Sequence, residues 1–207
     1  MISISLPNQL TLLRILLTPV FVSLLFSQDH RLRQLAFVAF TVASMTDWYD
    51  GWVARKWGYI SRWGKFFDPL ADKVLTSAAF FAFAVLGLAQ YWMVWIIVIR
   101  DILITLLRSL AEYKDQTVVT TYFAKVKTFA QMTLIYYILI LHLAKTTPGF
   151  WSDHQVLFDM LLNPTLVYIL MLIITIITLW TGITYIIDNR KTILNLYVSR
   201  SRITESD

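Results

Sequence analysis

Apolar residues run through this chain in long blocks separated by short polar connections. Six blocks stand out, over residues 9–27, 34–55, 69–89, 91–110, 123–144 and 165–187. Each approaches or exceeds the roughly 18 residues that license a membrane-spanning helix. The pattern predicts an all-α integral membrane protein with six transmembrane helices, forming a single domain over residues 1–207. Only the last block, TLVYILMLIITIITLWTGITYII, is free of charge. The first holds Arg14, the second Asp47 and Asp50, and the third Asp72 and Lys73. The fourth holds Arg100 and Asp101, and the fifth opens with Lys125 and Lys127. Before the last block, TTPGFWSDHQ and the partly apolar VLFDMLL read as a loop with a short interfacial helix.

Composition reinforces the membrane reading. With 57% hydrophobic residues and a mean hydropathy of +0.62, the chain is too apolar for an ordinary soluble fold. Eight Trp and ten Tyr suit the amphipathic rings that gather at membrane interfaces. The absence of Cys excludes a disulfide framework and a thiolate metal site. No positive n-region precedes the first block and no small-residue cleavage site follows it, so it is expected to be a retained helix. The formal charge of +5 does not point to nucleic acid, because a soluble binder would not carry this much continuous apolar sequence. Its distribution points to topology instead. Six spans put both termini on one side. If that side is cytoplasmic, it holds Arg55, Lys56, Arg62, Lys65, Lys114, Arg190, Lys191, Arg200 and Arg202, against Arg31, Arg33 and Lys145 outside. The excess of cations inside predicts N-in and C-in, with the connections 55–72 and 110–125 facing the cytoplasm.

Four carboxylates then require an explanation. Asp47 and Asp50 are three apart, and Asp68 and Asp72 four apart, so on helices each pair shares a face. Gly51 and Ala54 follow on the first face and are small enough to let a ligand approach the backbone. Gly58 and Gly64 are expected to loosen the connection so that the two pairs converge, and Pro69 suits the first turn of the next helix. Gathered carboxylates repel one another unless a cation is present, and hard divalent ions such as Mg²⁺ prefer oxygen ligands. His30, His142 and His154 fall at the other side or end, which argues against zinc, and His154 reads as solvated. Two metals bridged by carboxylates suit phosphoryl chemistry, and Arg55 is placed to hold a phosphate oxygen. A single Asp here would read as an interfacial acid paired with Arg62, Lys65 or Lys73. Four at helical spacing around one connection read as a functional set.

Residues 47–72 spell D-x-x-D-G-x-x-A-R, eight further residues, then G-x-x-x-D-x-x-x-D. This resembles the complete signature of the CDP-alcohol phosphatidyltransferase family, filled by Asp47, Asp50, Gly51, Ala54, Arg55, Gly64, Asp68 and Asp72. The resemblance implies a six-helix membrane fold, usually a homodimer, with its active site at the cytoplasmic face. It implies that Asp47, Asp50, Asp68 and Asp72 hold a two-metal centre of Mg²⁺ or Mn²⁺, with Asp72 also the base that deprotonates the acceptor hydroxyl. Asp50, Gly51, Ala54, Arg55 and Gly64 would line the CDP site, and CMP would be released.

A second cluster bears on the acceptor. In IRDILITLLRS, Arg100 and Arg108 are eight apart, on roughly one stripe with Thr105. AKVKTFAQM supplies Lys125, Lys127, Thr128 and Gln131, of which Lys127 and Gln131 face together. With NQLTLLR in the first block, these segments resemble the branch of the family that joins CDP-diacylglycerol to glycerol 3-phosphate in a bacterial-type inner membrane. Arg100, Arg108, Lys125 and Lys127 are then expected to hold the acceptor phosphate. Other readings stay open. Arg100 with Asp101 equally fits a structural pair, and Lys125 and Lys127 fit positive-inside anchors. Arg14 reads as snorkelling to the headgroups rather than as a ligand contact. Inositol phosphate would need the same cations as glycerol 3-phosphate. From a different class, a divalent-cation transporter also places acids within spans, although here the acids concentrate at one membrane face.

Overall fold

The computed structural model describes residues 6–57, 62–114, 116, 122–147 and 155–194, and the side chains among these apart from residues 6–10, 47–57, 62–68 and Tyr122. All regular structure among the described residues is helical. The helices are α1 (Leu6–Leu25), α2 (His30–Trp57), α3 (Arg62–Val85), α4 (Tyr91–Tyr113), α5 (Tyr122–Thr146), α6 (Gln155–Leu161) and α7 (Pro164–Asp188). The long ones each cover one apolar block, and α6 takes up the partly apolar segment before the last.

Local chemistry sets the helix ends. Asp29 Oδ1 accepts a hydrogen bond from the Arg31 backbone N–H at 2.8 Å, an N-terminal cap that starts α2 ahead of its apolar block. Asn163 caps α7 in the same way, accepting from Thr165 N at 2.9 Å, with Pro164 in the first turn. At the end of α3, Gly87 takes a φ of +74°. There Leu88 N–H donates to Phe83 O at 2.9 Å and Gly87 N–H to Ala84 O at 3.0 Å. This double bond pattern around a left-handed glycine closes the helix and turns the chain into α4.

The start of α3 departs from the expectation. The helix begins at Arg62, so Gly64 and Pro69 lie inside it and the connection from α2 shrinks to residues 58–61. Gly58 lies outside the described residues. Pro69 is therefore not a first-turn residue. It lacks the N–H that would bond the carbonyl of residue 65, and a proline ring at such a position crowds the preceding turn.

The long helices close into a ring. α1 lies between α2 and α3, α3 leads to α4, α4 packs on α7, α7 on α5, and α5 returns to α2. Phe21 of α1 meets Phe40 of α2 with ring centroids 5.2 Å apart, and Phe40 meets Tyr136 of α5 at 5.3 Å. Ala36 and Ala43 on α2 are fully buried, and such small residues let helices approach closely where lipid removes the usual hydrophobic drive. Arg14 is a correction: it is 0% exposed and its Nε donates to Ala43 O at 3.4 Å. It is enclosed between α1 and α2 rather than snorkelling to the surface.

α7 is the reverse of a soluble helix. Its buried residues include Thr175, Thr178, Thr181, Gly182 and Tyr185, while Ile173, Ile176, Trp180 and Ile183 face outward. An apolar exterior over a partly polar interior fits a hydrocarbon surround. Among the described residues, two stretches, Phe123–Thr146 and Gln155–Asp188, are long and apolar enough to cross a membrane by length and composition. Thr11–Leu25 is apolar but shorter.

Candidate active site

A cavity of 680 Å³ opens among α3, α4, α5 and α7, at the end of the bundle where α2 hands over to α3. α3 contributes Asp72 and Lys73, α4 contributes Arg100, Thr105, Arg108 and Glu112, α5 contributes Lys125, Lys127 and Thr128, and α7 contributes Tyr185. Lys73 Nζ lies 3.2 Å from Asp72 Oδ2, and Arg108 Nε donates to Glu112 Oε1 at 2.8 Å, one helical turn on.

Arg100 and Lys127 in this lining also belong to a charge cluster centred on Asp101. Arg100 Nη1 donates to Asp101 Oδ1 at 3.1 Å and its Nη2 donates to Thr181 Oγ1 at 3.0 Å. Lys127 Nζ donates to the same Asp101 oxygen. Asp101 is 3% and Lys127 1% exposed. Taking such groups out of water costs several kcal/mol per ion unless a partner compensates. Two cations here share one carboxylate, and both cations are also among the residues lining the cavity. An anion arriving there would meet desolvated donors, where charge-assisted hydrogen bonds are strongest.

The structure therefore brings Asp72, Arg100, Arg108, Lys125 and Lys127 to one cavity. Arg100 is paired with Asp101, as the structural reading expects, and is also part of the lining. Lys127 is too enclosed to be a headgroup anchor, whereas Lys125 is exposed at the rim. Gln131 is buried one turn beyond Lys127, as their spacing predicts, but does not line the cavity. Asp72 does pair with Lys73, as the interfacial-acid reading anticipates, while still lining the cavity.

A model of the CDP-alcohol phosphatidyltransferase family matches residues 4–187. The chain belongs to this family. It is similar to the CDP-diacylglycerol--glycerol-3-phosphate 3-phosphatidyltransferase of Bacillus subtilis (strain 168), 36% identical over 148 residues that cover 66% of this chain and 77% of that protein. Proteins of the same name from Escherichia coli (strain K12) and Salmonella typhimurium (strain LT2) are 31% and 30% identical over 199 residues, covering 92% of this chain and 98% of each relative.

The family signature runs from the last turns of α2 into α3. The backbone there is helical, so Asp47, Asp50, Gly51 and Ala54 share one face of α2, and Asp68 stands one turn from Asp72 on α3. The side chains at Asp47, Asp50, Gly51, Ala54, Arg55, Gly64 and Asp68 lie outside the described residues. Among the described residues no three His, Asp or Glu side chains gather, and Asp72 is the signature carboxylate that is described. Asp72 offers carboxylate oxygen at the cavity wall, paired with Lys73, while His30 starts α2 and His142 lies near the far end of α5. His154 lies outside the described residues.

Three features of this cavity and its surroundings are absent from the sequence reading. Asp101 serves two cations, Thr181 accepts from Arg100, and Gly182 lies against the Arg100 side chain. The available signal is the spacing of Thr178, Thr181, Gly182 and Tyr185 within an otherwise apolar block, which marks one helical face.

Proposed function

We propose that this protein transfers the phosphatidyl group of CDP-diacylglycerol to glycerol 3-phosphate, giving phosphatidylglycerol phosphate and CMP in phospholipid biosynthesis. The observation that carries the reading is the cavity in which Asp72 stands beside Arg100, Arg108, Lys125 and Lys127. The names of the relatives support the same substrates.

In this reading the acceptor's phosphate dianion rests against Arg108 and Lys125 at the rim, with Arg100 and Lys127 behind them. That contact orients the glycerol hydroxyl toward Asp72. The hydroxyl oxygen bonds to the phosphorus that bears diacylglycerol, the bond from that phosphorus to the CMP oxygen breaks, and the hydroxyl proton passes to Asp72. Asp50, Gly51, Ala54, Arg55 and Gly64 hold the CDP portion. Asp47, Asp50, Asp68 and Asp72 would hold Mg²⁺ or Mn²⁺ in a two-metal site, which when bound neutralises the pyrophosphate and the departing phosphate. The six long helices span a bacterial-type inner membrane with both termini inside, so the cavity faces the cytoplasm and the lipid tails enter laterally. The enzyme works as a homodimer.

Purified protein supplied with CDP-diacylglycerol, glycerol 3-phosphate and Mg²⁺ is expected to release CMP. Release only when inositol phosphate or another alcohol replaces glycerol 3-phosphate would overturn the substrate assignment.

A further inference from the structure

Thr181 and Gly182 are adjacent on α7, the helix with no charge before Asp188. Both are buried. A Cβ added at residue 182 would stand 3.0 Å from Arg100 Cγ and 3.1 Å from Arg100 Nε, well inside the roughly 3.5–4.0 Å of ordinary contact. The Arg100 side chain thus lies across α7 through the space that a missing side chain leaves. It has little freedom to yield, because its head is fixed to Asp101 at 3.1 Å and to Thr181 at 3.0 Å. The Thr181 hydroxyl spends its own proton on Ile177 O at 2.8 Å, which leaves a lone pair facing Arg100. Arg100 Nε, buried on the Gly182 side, has no hydrogen-bond partner among the described residues. No competing bond holds the middle of the chain, so a push at Cγ and Nε passes to the guanidinium.

We infer that Thr181 and Gly182 are positioning residues that set how far the Arg100 guanidinium reaches into the cavity, and thereby the placement of a phosphorylated acceptor relative to Asp72. This rests on the reading that the cavity takes the acceptor phosphate. α7 contributes no charge of its own; it acts through the seat it gives a cation from α4. The inference extends the acceptor site to a helix outside both the aspartate signature and the basic segments.

The test is steady-state CMP release by the full-length protein, varying each substrate separately. Gly182→Ala is expected to raise the KM for glycerol 3-phosphate about fivefold to tenfold, the scale of one misplaced charge-assisted hydrogen bond. The KM for CDP-diacylglycerol should stay within about twofold of wild type, an effect of a few tenths of a kcal/mol. Thr181→Val keeps the volume and loses the acceptor, so it should raise the same KM. Thr181→Ser keeps the acceptor and loses a methyl group, so it should stay near wild type. A packing role predicts the opposite order, with Ser worse than Val. Wild-type KM in Gly182→Ala, the reversed order at residue 181, or equal shifts for both substrates would overturn the inference. If Gly182→Ala does not fold, the two Thr181 variants decide. If the wild type uses a different phosphorylated acceptor, the glycerol 3-phosphate reading falls and the same variants are read on that acceptor. CMP release only with an uncharged alcohol would overturn both.

Discussion

The two ends of this helix ring hold cavities of opposite character. At the Asp72 end, 680 Å³ is lined by Lys73, Arg100, Arg108, Lys125 and Lys127 with Asp72 and Glu112. At the Gly87 end, 330 Å³ is lined by Leu88, Ala89, Leu162, Pro164, Val167, Tyr168 and Met171, with Gln90 and Thr165 as its polar side chains. The α3–α4 turn, Leu162 and the start of α7 build the second, whereas α3, α4, α5 and α7 build the first. They differ because Asp72, Lys73, Arg100, Asp101, Arg108, Glu112, Lys125 and Lys127 gather between mid-helix and the Asp72 end. There Arg100, Asp101 and Lys127 share charge across α4 and α5, while His142 and Lys145 lie toward the other end of α5. The Gly87 end keeps its shape through caps and a glycine turn, and its cavity has no charged residue in the lining. An apolar bundle can therefore concentrate its chemistry at one end, and the contrast between the ends can be tested residue by residue.

The largest expected effect is at Asp72. Asp72→Asn keeps size and removes proton-accepting capacity, so CMP release should fall about 10²- to 10⁴-fold, the usual worth of a positioned general base. Size-exclusion elution and helical circular dichroism in detergent should stay at wild type. Retained turnover would remove Asp72 as the base and weaken the distinction between the ends.

Asp101 comes next, and its effect is on the fold. Asp101→Asn leaves the buried Lys127 and the part-buried Arg100 without their shared charge. Breaking a buried pair in this way costs about 3–5 kcal/mol, which should appear as a large drop in thermal midpoint in detergent. An unchanged midpoint would mean that the two cations reach water or another anion unaided.

These two predictions concern residues of different legibility. Apolar runs interrupted by charge make the long helices and the Arg100, Arg108, Lys125 and Lys127 cluster readable, because an ionisable residue in such a run needs a reason. Helix ends are harder. Pro69 looks like a helix start because proline is favoured in a first turn, yet residues 62–68 are already helical. Arg14 looks like a snorkelling side chain, and only the packing of α2 over it reveals its enclosure. Thr181 meets Arg100 across 81 positions of chain, a juxtaposition set by the packing of α4 on α7. The local spacing of Thr178, Thr181, Gly182 and Tyr185 marks a face of α7 but does not name the residue that packs on it.

The rim cations should give smaller effects. Arg108 is exposed and already paired with an exposed Glu112, an arrangement worth less than about 1 kcal/mol to stability. Arg108→Ala or Lys125→Ala should therefore leave the thermal midpoint unchanged. If they meet the acceptor phosphate, each should raise the KM for glycerol 3-phosphate about fivefold to tenfold and leave CDP-diacylglycerol unaffected. A shift in the CDP-diacylglycerol KM instead would reassign these residues to the donor.

The smallest effect belongs to the Gly87 end and completes the contrast. An added Cβ at Gly87 meets nothing within 4 Å, so Gly87→Ala has no steric neighbour to disturb. What remains is the backbone: at a φ of +74° an L-residue pays about 1–2 kcal/mol for the left-handed conformation. The thermal midpoint should fall modestly, while both KM values and the rate of CMP release below that temperature stay at wild type. Changed kinetics at unchanged stability would connect this turn to the distant cavity and dissolve the separation between the two ends. Lost stability with intact kinetics would mark the turn as support alone, leaving the chemistry to the charged end.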